Sequence, residues 1–290
     1  MTSLVSLDRL AGAPISWGLC EVPGWGYQLP PDRVLAEMGG LGLRATEFGP
    51  PGFLAADPAE RLAQLDEHGL AAVGGFLLVL LHDSGHDPVP GVDAFIDECL
   101  AARAGIVVLA AYTGRDGYDD RPALDESGWA TLLTNLDRVS ARARDRGVEA
   151  VLHPHIGTMV ESADEVQRVV DGSAVGLCLD TGHLAAAGAD PVALALAHSE
   201  RVRHVHLKDV DAALAGRVVA GDLRFGEAVR QGMFRPLGQG DVDIAGLVGC
   251  LEGHGYSGWY VLEQDVMLAG EPEGPGPVRD VRACVEYLTA

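Results

Sequence analysis

Basic residues are scarce in this chain. Lysine and arginine supply 21 of its 290 residues against 42 aspartates and glutamates, a formal charge of −21 at pH 7. A surface of that sign repels phosphate backbones and anionic bilayers and has no basic stripe for counterion release, so no nucleic-acid or membrane partner is expected. Long hydrophobic runs are missing as well. No stretch of about 18 apolar residues occurs, and the first ten residues lack a basic segment leading into an apolar one, so the expectation is an untargeted, cytoplasmic protein. The five cysteines (Cys20, Cys99, Cys178, Cys250 and Cys284) are odd in number, widely spaced and form no Cys-x-x-Cys pair, a pattern of reduced thiols. Two signatures are also absent: no Gly-x-Ser-x-Gly elbow for acyl transfer, and no strand-to-helix setting that would make Gly238-Gln239-Gly240 a nucleotide loop.

What is present is an alternation. Apolar residues make up 48% of the chain, enough for a large core, and short β-rich runs alternate eight times with helix-length segments, the count that closes an α/β barrel. Strands are expected near 13–17, 45–48, 71–78, 106–111, 149–152, 175–179, 202–207 and 259–262. Helical spacing marks 31–40, 59–68, 92–104, 129–146, 162–170, 244–254 and 278–288. Helices are expected to stop at Gly42, Gly69, Gly105, Gly147 and Gly255. The segments that follow strand ends are long (19–30, 49–58, 82–91, 112–127 and 210–243), which locates the functional mouth of a single barrel domain spanning 1–290. Residues 212–229, inside the longest, read as a helical lid.

Metal-type side chains recur where strands end: His153-Pro154-His155, Asp180-Thr181-Gly182-His183, His204-Val205-His206-Leu207-Lys208-Asp209 and Glu263. Strand C-termini of a parallel barrel converge on one rim, so His153, Asp180, His206 and Glu263 are the expected ligands of one divalent ion. A mixed N/O set without thiolate suits Mn²⁺, Co²⁺, Fe²⁺, Mg²⁺ or Zn²⁺ in a catalytic site. His204 shares the inward parity of His206 and is expected to support or pack against it. Lys208, two residues further, is expected beside the ion, where it either loses its proton or stabilises developing negative charge. His155, His183 and Glu47 are expected to reach substrate, and Trp17 and Trp25 flank a loop able to cover a sugar ring.

These segments, with Ala13-Pro14-Ile15-Ser16-Trp17-Gly18, Ala45-Thr46-Glu47-Phe48-Gly49-Pro50, His153-Pro154-His155-Ile156-Gly157-Thr158 and Phe234-Arg235-Pro236-Leu237-Gly238-Gln239-Gly240-Asp241, resemble the inosose dehydratase branch of the xylose isomerase-like TIM barrel superfamily. The resemblance spans nearly the whole chain. It implies a (β/α)8 barrel, a divalent ion that is cobalt or manganese, a polyol or sugar ketone as substrate, and a homo-oligomer as an open expectation. Sugar epimerases of this superfamily place glutamates on both strand five and strand eight. Here strand five offers His153, which leaves Glu263 alone and favours one-sided proton removal with loss of water from a cyclic polyol ketone such as 2-keto-myo-inositol. The alternative is a ketose 3-epimerase or aldose–ketose isomerase on the same site. The assignment of Lys208, His155, His183 and Glu263 to base or acid is open, as is the choice of His153 over His155 as ligand.

Overall fold

A computed structural model describes residues 3–115 and 117–290; Met1, Thr2 and, within the long loop expected over 112–127, Asp116 lie outside the described residues. The strands are β1 (Leu10–Gly12), β2 (Ala45–Thr46), β3 (Ala71–Ala72), β4 (Gly74–Val79), β5 (Ile106–Ala111), β6 (Glu149–Leu152), β7 (Gly176–Asp180), β8 (Val202–Leu207), a small hairpin β9 (Asp209–Val210) with β10 (Phe234–Arg235), and β11 (Tyr260–Leu262). Apart from the hairpin they form one sheet in the order β3-β2-β1-β11-β8-β7-β6-β5-β4, every neighbour parallel. Its two ends, β3 and β4, are halves of one extended segment interrupted at Val73. The sheet therefore closes on itself as a TIM barrel of eight strand positions.

The interruption moves the inward face by one residue. Val73 packs inside with Ala11, Ala13, Ala45 and Val261, and a Cβ on Gly74 would stand 1.9 Å from the Ile106 carbonyl oxygen, so only glycine passes there. Beyond it Gly75 faces outward to Phe48 and Phe95, while Phe76 turns inward onto the rings of His153 and His155. Alternation then points Leu78 inward too.

Helices pack around this barrel. They are α1 (Pro31–Gly40), α2 (Pro58–Glu67), α3 (Val89–Ala101), α4 (Glu126–Asp145), α5 (Ala163–Gly172), α6 (Thr181–Ala186), α7 (Pro191–His198), α8 (Ala212–Val219), α9 (Phe225–Arg230), α10 (Ile244–Gly253) and α11 (Val278–Thr289). In α4, Asp125 caps the first turn by accepting from Gly128, and Trp129, Leu132, Leu136, Val139 and Ala143 recur at helical spacing and are all buried. No helix among the described residues is long and apolar enough to cross a membrane.

Four expectations shift. The first strand lies at Leu10–Gly12, and 13–17 is instead a 3₁₀ turn (Pro14–Trp17), because Pro14 has no N–H for a ladder. The helices α6 and α7 between β7 and β8 were not anticipated; both are short and rich in alanine, with little amphipathic contrast. The segment 212–229, expected as one helical lid, holds two helices, α8 and α9, broken around Gly221. The turn after α3 is taken by Arg103 at φ 58°, not by Gly105.

Asp209 anchors the loop that carries this lid back to the barrel. Its Oδ2 accepts from the backbone N–H of Gly238 (2.8 Å) and Gly240 (2.9 Å), and its Oδ1 from Val242 (3.0 Å). A Cβ on Gly240 would lie 2.3 Å from Oδ1, so the Gly-Gln-Gly segment is shaped to wrap this carboxylate. With the Val210 N–H that Oδ1 also accepts (2.9 Å), Asp209→Ala orphans four N–H groups in a largely buried place and is expected to lower stability by on the order of 3 kcal/mol. Urea denaturation followed by circular dichroism reads this, and an unchanged midpoint would remove Asp209 from that role.

Candidate metal centre

The rim of β6, β7, β8 and β11 brings an excess of buried carboxylate to one place. Asp180 ends β7 and divides its two oxygens between tasks. Oδ1 caps α6 by accepting from Gly182 (2.8 Å) and His183 (2.7 Å), which leaves Oδ2 turned to the barrel axis without a hydrogen-bond partner. The next two residues fix β8 against it. Thr181 Oγ1 donates to the Lys208 carbonyl (2.6 Å) and accepts from the Lys208 N–H (2.8 Å), and a Cβ on Gly182 would sit 2.5 Å from Lys208 Cβ. The Asp-Thr-Gly-His segment is thus a carboxylate aimed at the axis, a clasp, a gap for lysine and a histidine in succession.

Backbone carbonyls and one carboxylate fix the histidine tautomers. The ring Nδ1 of His153 donates to the Pro154 carbonyl (2.8 Å), so its Nε2 carries the lone pair, and that lone pair faces Asp180 Oδ2 at 3.4 Å. His206 donates Nε2–H to Glu47 Oε1 (3.0 Å), which turns Nδ1 toward Glu263 Oε2 (2.5 Å) and Asp180 Oδ2 (3.5 Å). Asp180, His206 and Glu263 offer ligand atoms that all lie within 4.8 Å of one another, and His153, Asp180 and His183 form an adjoining set. Acceptors converging on acceptors need a cation between them. Without an ion a proton serves: the charges around His206 hold its imidazolium well above the ordinary range despite burial. The residues fit a divalent ion with mixed N/O ligands.

Three buried carboxylates, Glu47, Asp180 and Asp265, and the slightly exposed Glu263 meet one buried ammonium, Lys208. The lysine Nζ lies 2.8 Å from Glu263 Oε1, 2.9 Å from Asp265 Oδ1 and 3.2 Å from Asp180 Oδ2. Burial opposes the charge, but these carboxylates outweigh it and raise the lysine pKa well above its usual value. Of the two roles anticipated for Lys208, these carboxylates favour stabilisation of negative charge over ready loss of its proton. Glu263 is very nearly as enclosed, yet His206 and Lys208 hold its pKa down at about 2. Asp265 was missed by sequence reasoning; it stands two residues beyond Glu263 with the same inward parity, the rule that located Lys208 after His206.

His155 and His183 lie one step further out, their ring centroids 3.8 Å apart. His155 donates Nδ1–H to the Ile156 carbonyl (2.8 Å), leaving Nε2 as the lone pair, and burial together with His153 and Lys208 pushes its pKa down to about 3. Both ring nitrogens of His183 are buried and unpartnered, and burial depresses its pKa too. Phe225 of α9 packs on His183 (5.7 Å) and on Tyr118 (5.0 Å), and Trp25, Phe225 and Phe234 belong to one buried cluster roofing the centre. Two substrate-facing expectations are corrected. Trp17 is fully buried in the core and donates Nε1–H to Glu37 of α1 (2.8 Å), because the turn after β1 rotates it outward. Glu47 is bonded to His204 (2.9 Å) and His206, behind the expected ligands.

A parallel barrel that gathers carboxylates, histidines and a lysine at its C-terminal rim is the architecture of a metal-assisted enzyme. The chain belongs to the xylose isomerase-like TIM barrel family, whose model matches residues 35–285. It is 31% identical to "Inosose dehydratase" of Geobacillus kaustophilus (strain HTA426), over 99% of this chain and 96% of that protein. It is 34% identical to "Rhizopine catabolism protein MocC" of Rhizobium meliloti, over 91% of this chain and 83% of that one. Among solved structures, the IOLI protein with a bound zinc atom superposes with a TM-score of 0.68 at 17% identity, covering 96% of each chain, a likeness of fold.

The proton on His206 makes ion binding pH-dependent. A raised folded pKa contributes stability that is fully present below the unfolded value of about 6.5 and is lost as pH climbs through the folded value. Asp180 and Glu263, with lowered pKa values, stay ionised across that window. Ion binding replaces the proton, so the thermal shift on adding saturating Mn²⁺ or Co²⁺ to metal-free protein is expected to be larger at pH 8.5 than at pH 6.5. A shift independent of pH would contradict the His206 assignment.

Proposed function

We propose that this protein is a metal-dependent dehydratase, a carbon–oxygen lyase that removes water from a cyclic polyol ketone, with 2-keto-myo-inositol as substrate. The observation that carries the reading is the one-sidedness of the proton machinery. At the β6 rim stand His153 and His155, neither a carboxylate, so Glu263 has no glutamate partner across the ring with which to exchange protons on both faces. The kinship to inosose dehydratases supports the same choice.

Asp180, His206 and Glu263, with His153 beside them, would hold the ion, for which Mn²⁺ or Co²⁺ is our choice; when bound it supplies Lewis acidity to the ketone and the neighbouring hydroxyl oxygen. Lys208 keeps its proton and is the donor, placed to stabilise negative charge and to convert the departing hydroxide to water. His155 and His183 are neutral and carry lone pairs not used by the protein, so one of them takes the proton α to the ketone. The α C–H bond breaks toward that histidine, the C–O bond at the next carbon breaks toward the proton of Lys208, and the enol left behind relaxes to the diketone. Glu47 acts through His206 by fixing its ring. A cytoplasmic setting goes with five unpaired cysteines.

Ultraviolet-monitored turnover of 2-keto-myo-inositol after chelation, and again after adding Mn²⁺ or Co²⁺, tests the reading: an absorbing enolised diketone is expected only with metal. Lys208→Met is expected to lower kcat by about 10²–10⁴-fold while bound metal, measured by atomic emission, is retained. Reversible interconversion of sugars without water loss would transfer the site to the epimerase class.

A further inference from the structure

Asp180 and Glu263 are claimed twice. With His206 they form the set that fits a divalent ion. With Asp265 they surround the Lys208 ammonium, whose Nζ lies 2.8 Å from Glu263 Oε1, 2.9 Å from Asp265 Oδ1 and 3.2 Å from Asp180 Oδ2. Asp265 stands outside the first set. It falls with His183 and Glu263 in a neighbouring one, where the ammonium already lies against both carboxylates as their cation. Three negative charges therefore face one divalent ion and one ammonium, and the charges balance when the ion takes Asp180 and Glu263 and Lys208 keeps Asp265. Among the described residues neither Lys208 Nζ nor Asp265 Oδ1 enters a hydrogen bond, although both are buried. Their contact is thus ionic, and the lysine N–H groups remain for an oxygen of the substrate.

Backbone contacts fix Asp265 in this place. Ser16 Oγ donates to the Leu262 carbonyl (3.1 Å) and accepts from the Gln264 N–H (2.8 Å), bridging the chain across Glu263. Beyond Asp265, Trp25 Nε1–H donates to the Val266 carbonyl (2.8 Å) and the Tyr27 N–H to the Leu268 carbonyl (2.8 Å). A Cβ on Gly26 would stand 2.6 Å from the Leu268 oxygen, so glycine lets these two segments close. The loop after β1 thereby clamps Asp265 from both sides.

We propose that Asp265 is a positioning residue that keeps the Lys208 ammonium in place when Asp180 and Glu263 turn to the ion, and that it acts on the reaction through that lysine. The inference rests on the dehydratase reading for what Lys208 then does; the division of the carboxylates stands apart from it. An ion bound to Asp180 and Glu263 takes up their charge and repels the ammonium beside them. With Asp265 present the lysine stays. Without it, ion and ammonium compete for the same two carboxylates, and each weakens the hold of the other.

A double-mutant cycle over the native chain, Asp265→Asn, Lys208→Met and the pair tests this, with Mn²⁺ affinity read by calorimetry and turnover of 2-keto-myo-inositol in the ultraviolet. Asp265→Asn is expected to weaken Mn²⁺ binding by about tenfold and to lower kcat by about 10- to 100-fold, the scale of losing a group that orients a neighbour, with KM within about threefold. In the Lys208→Met background the same substitution is expected to change either quantity by less than about twofold, because the residue through which it acts is gone. Asp265→Glu, which returns the charge, is expected to restore part of both. Should Asp265→Asn not fold by circular dichroism, Asp265→Ser runs the same cycle. Equal losses in the two backgrounds, or native values in Asp265→Asn, overturn the inference while turnover by the native protein leaves the dehydratase intact. A Mn²⁺ affinity that depends on Asp265 only where Lys208 is present, in a protein that dehydrates no ketone, upholds the pairing and removes the dehydratase reading.

Discussion

The excess of carboxylate over ammonium at one end of the barrel is the constraint to which the surrounding structure answers. Glu47, Asp180 and Asp265 are withdrawn from water and Glu263 very nearly so, and among the described residues Lys208 is the permanent positive charge within reach. Buried charges left uncompensated cost several kcal/mol each even after relaxation, so such a cluster persists only with cations or protons among its oxygens. Two protons fill the gap in part: the second proton of His206, and the one that burial and neighbouring charge retain on Asp265 up to about pH 6. A divalent ion does the same more completely and displaces the imidazolium proton as it binds.

Holding like charges together demands a rigid frame, and the polar motifs of the sequence provide it through backbone contacts. Asp180 could serve the cluster with both oxygens, yet one is spent on the first turn of α6, which fixes the orientation of the other. Thr181 stitches β7 to the backbone of Lys208, and Gly182 gives way to the lysine stem. One residue past Lys208, Asp209 gathers the returning lid loop with three N–H contacts. Each of these groups works at one remove from the cluster and fixes the place of a residue within it.

The architecture was legible because alternation of strand and helix has only a few compact solutions, and the rim residues because inward parity and strand ends coincide. Asp180, His206 and Glu263 converge as their spacing implied, with His153 adjoining through Asp180. What stayed hidden depends on single backbone events. One residue of shift at Val73 decides that Phe76 and Leu78 face inward, and nothing in the composition of residues 71–79 announces it. The proline after Ala13 ends the first strand early and swings Trp17 into the core, so a tryptophan beside the expected mouth became packing. Glu47 looked free because its partners lie 157 and 159 residues away, a distance over which sequence pattern carries no information. Asp265 was reachable by parity and was passed over because the last strand was taken to finish its work at Glu263.

The electrostatics of the centre also sort its proton donors from its proton acceptors. The carboxylates that bind Lys208 on one side keep its proton in place, and the resulting ammonium is among the charges that drive His155 and His183 toward the neutral form. One buried ion-pair network thereby sets a protonated amine beside neutral imidazoles, the protonation states that the proposed acid and base require. Removing the ammonium would relieve one of the charges that, with burial, keep the histidines neutral, so its loss reaches His155 and His183 as well. Phe225 and Phe234 pack on His183 at 5.7 and 6.2 Å, so the cluster they share with Trp25 adds to the burial that keeps this histidine neutral.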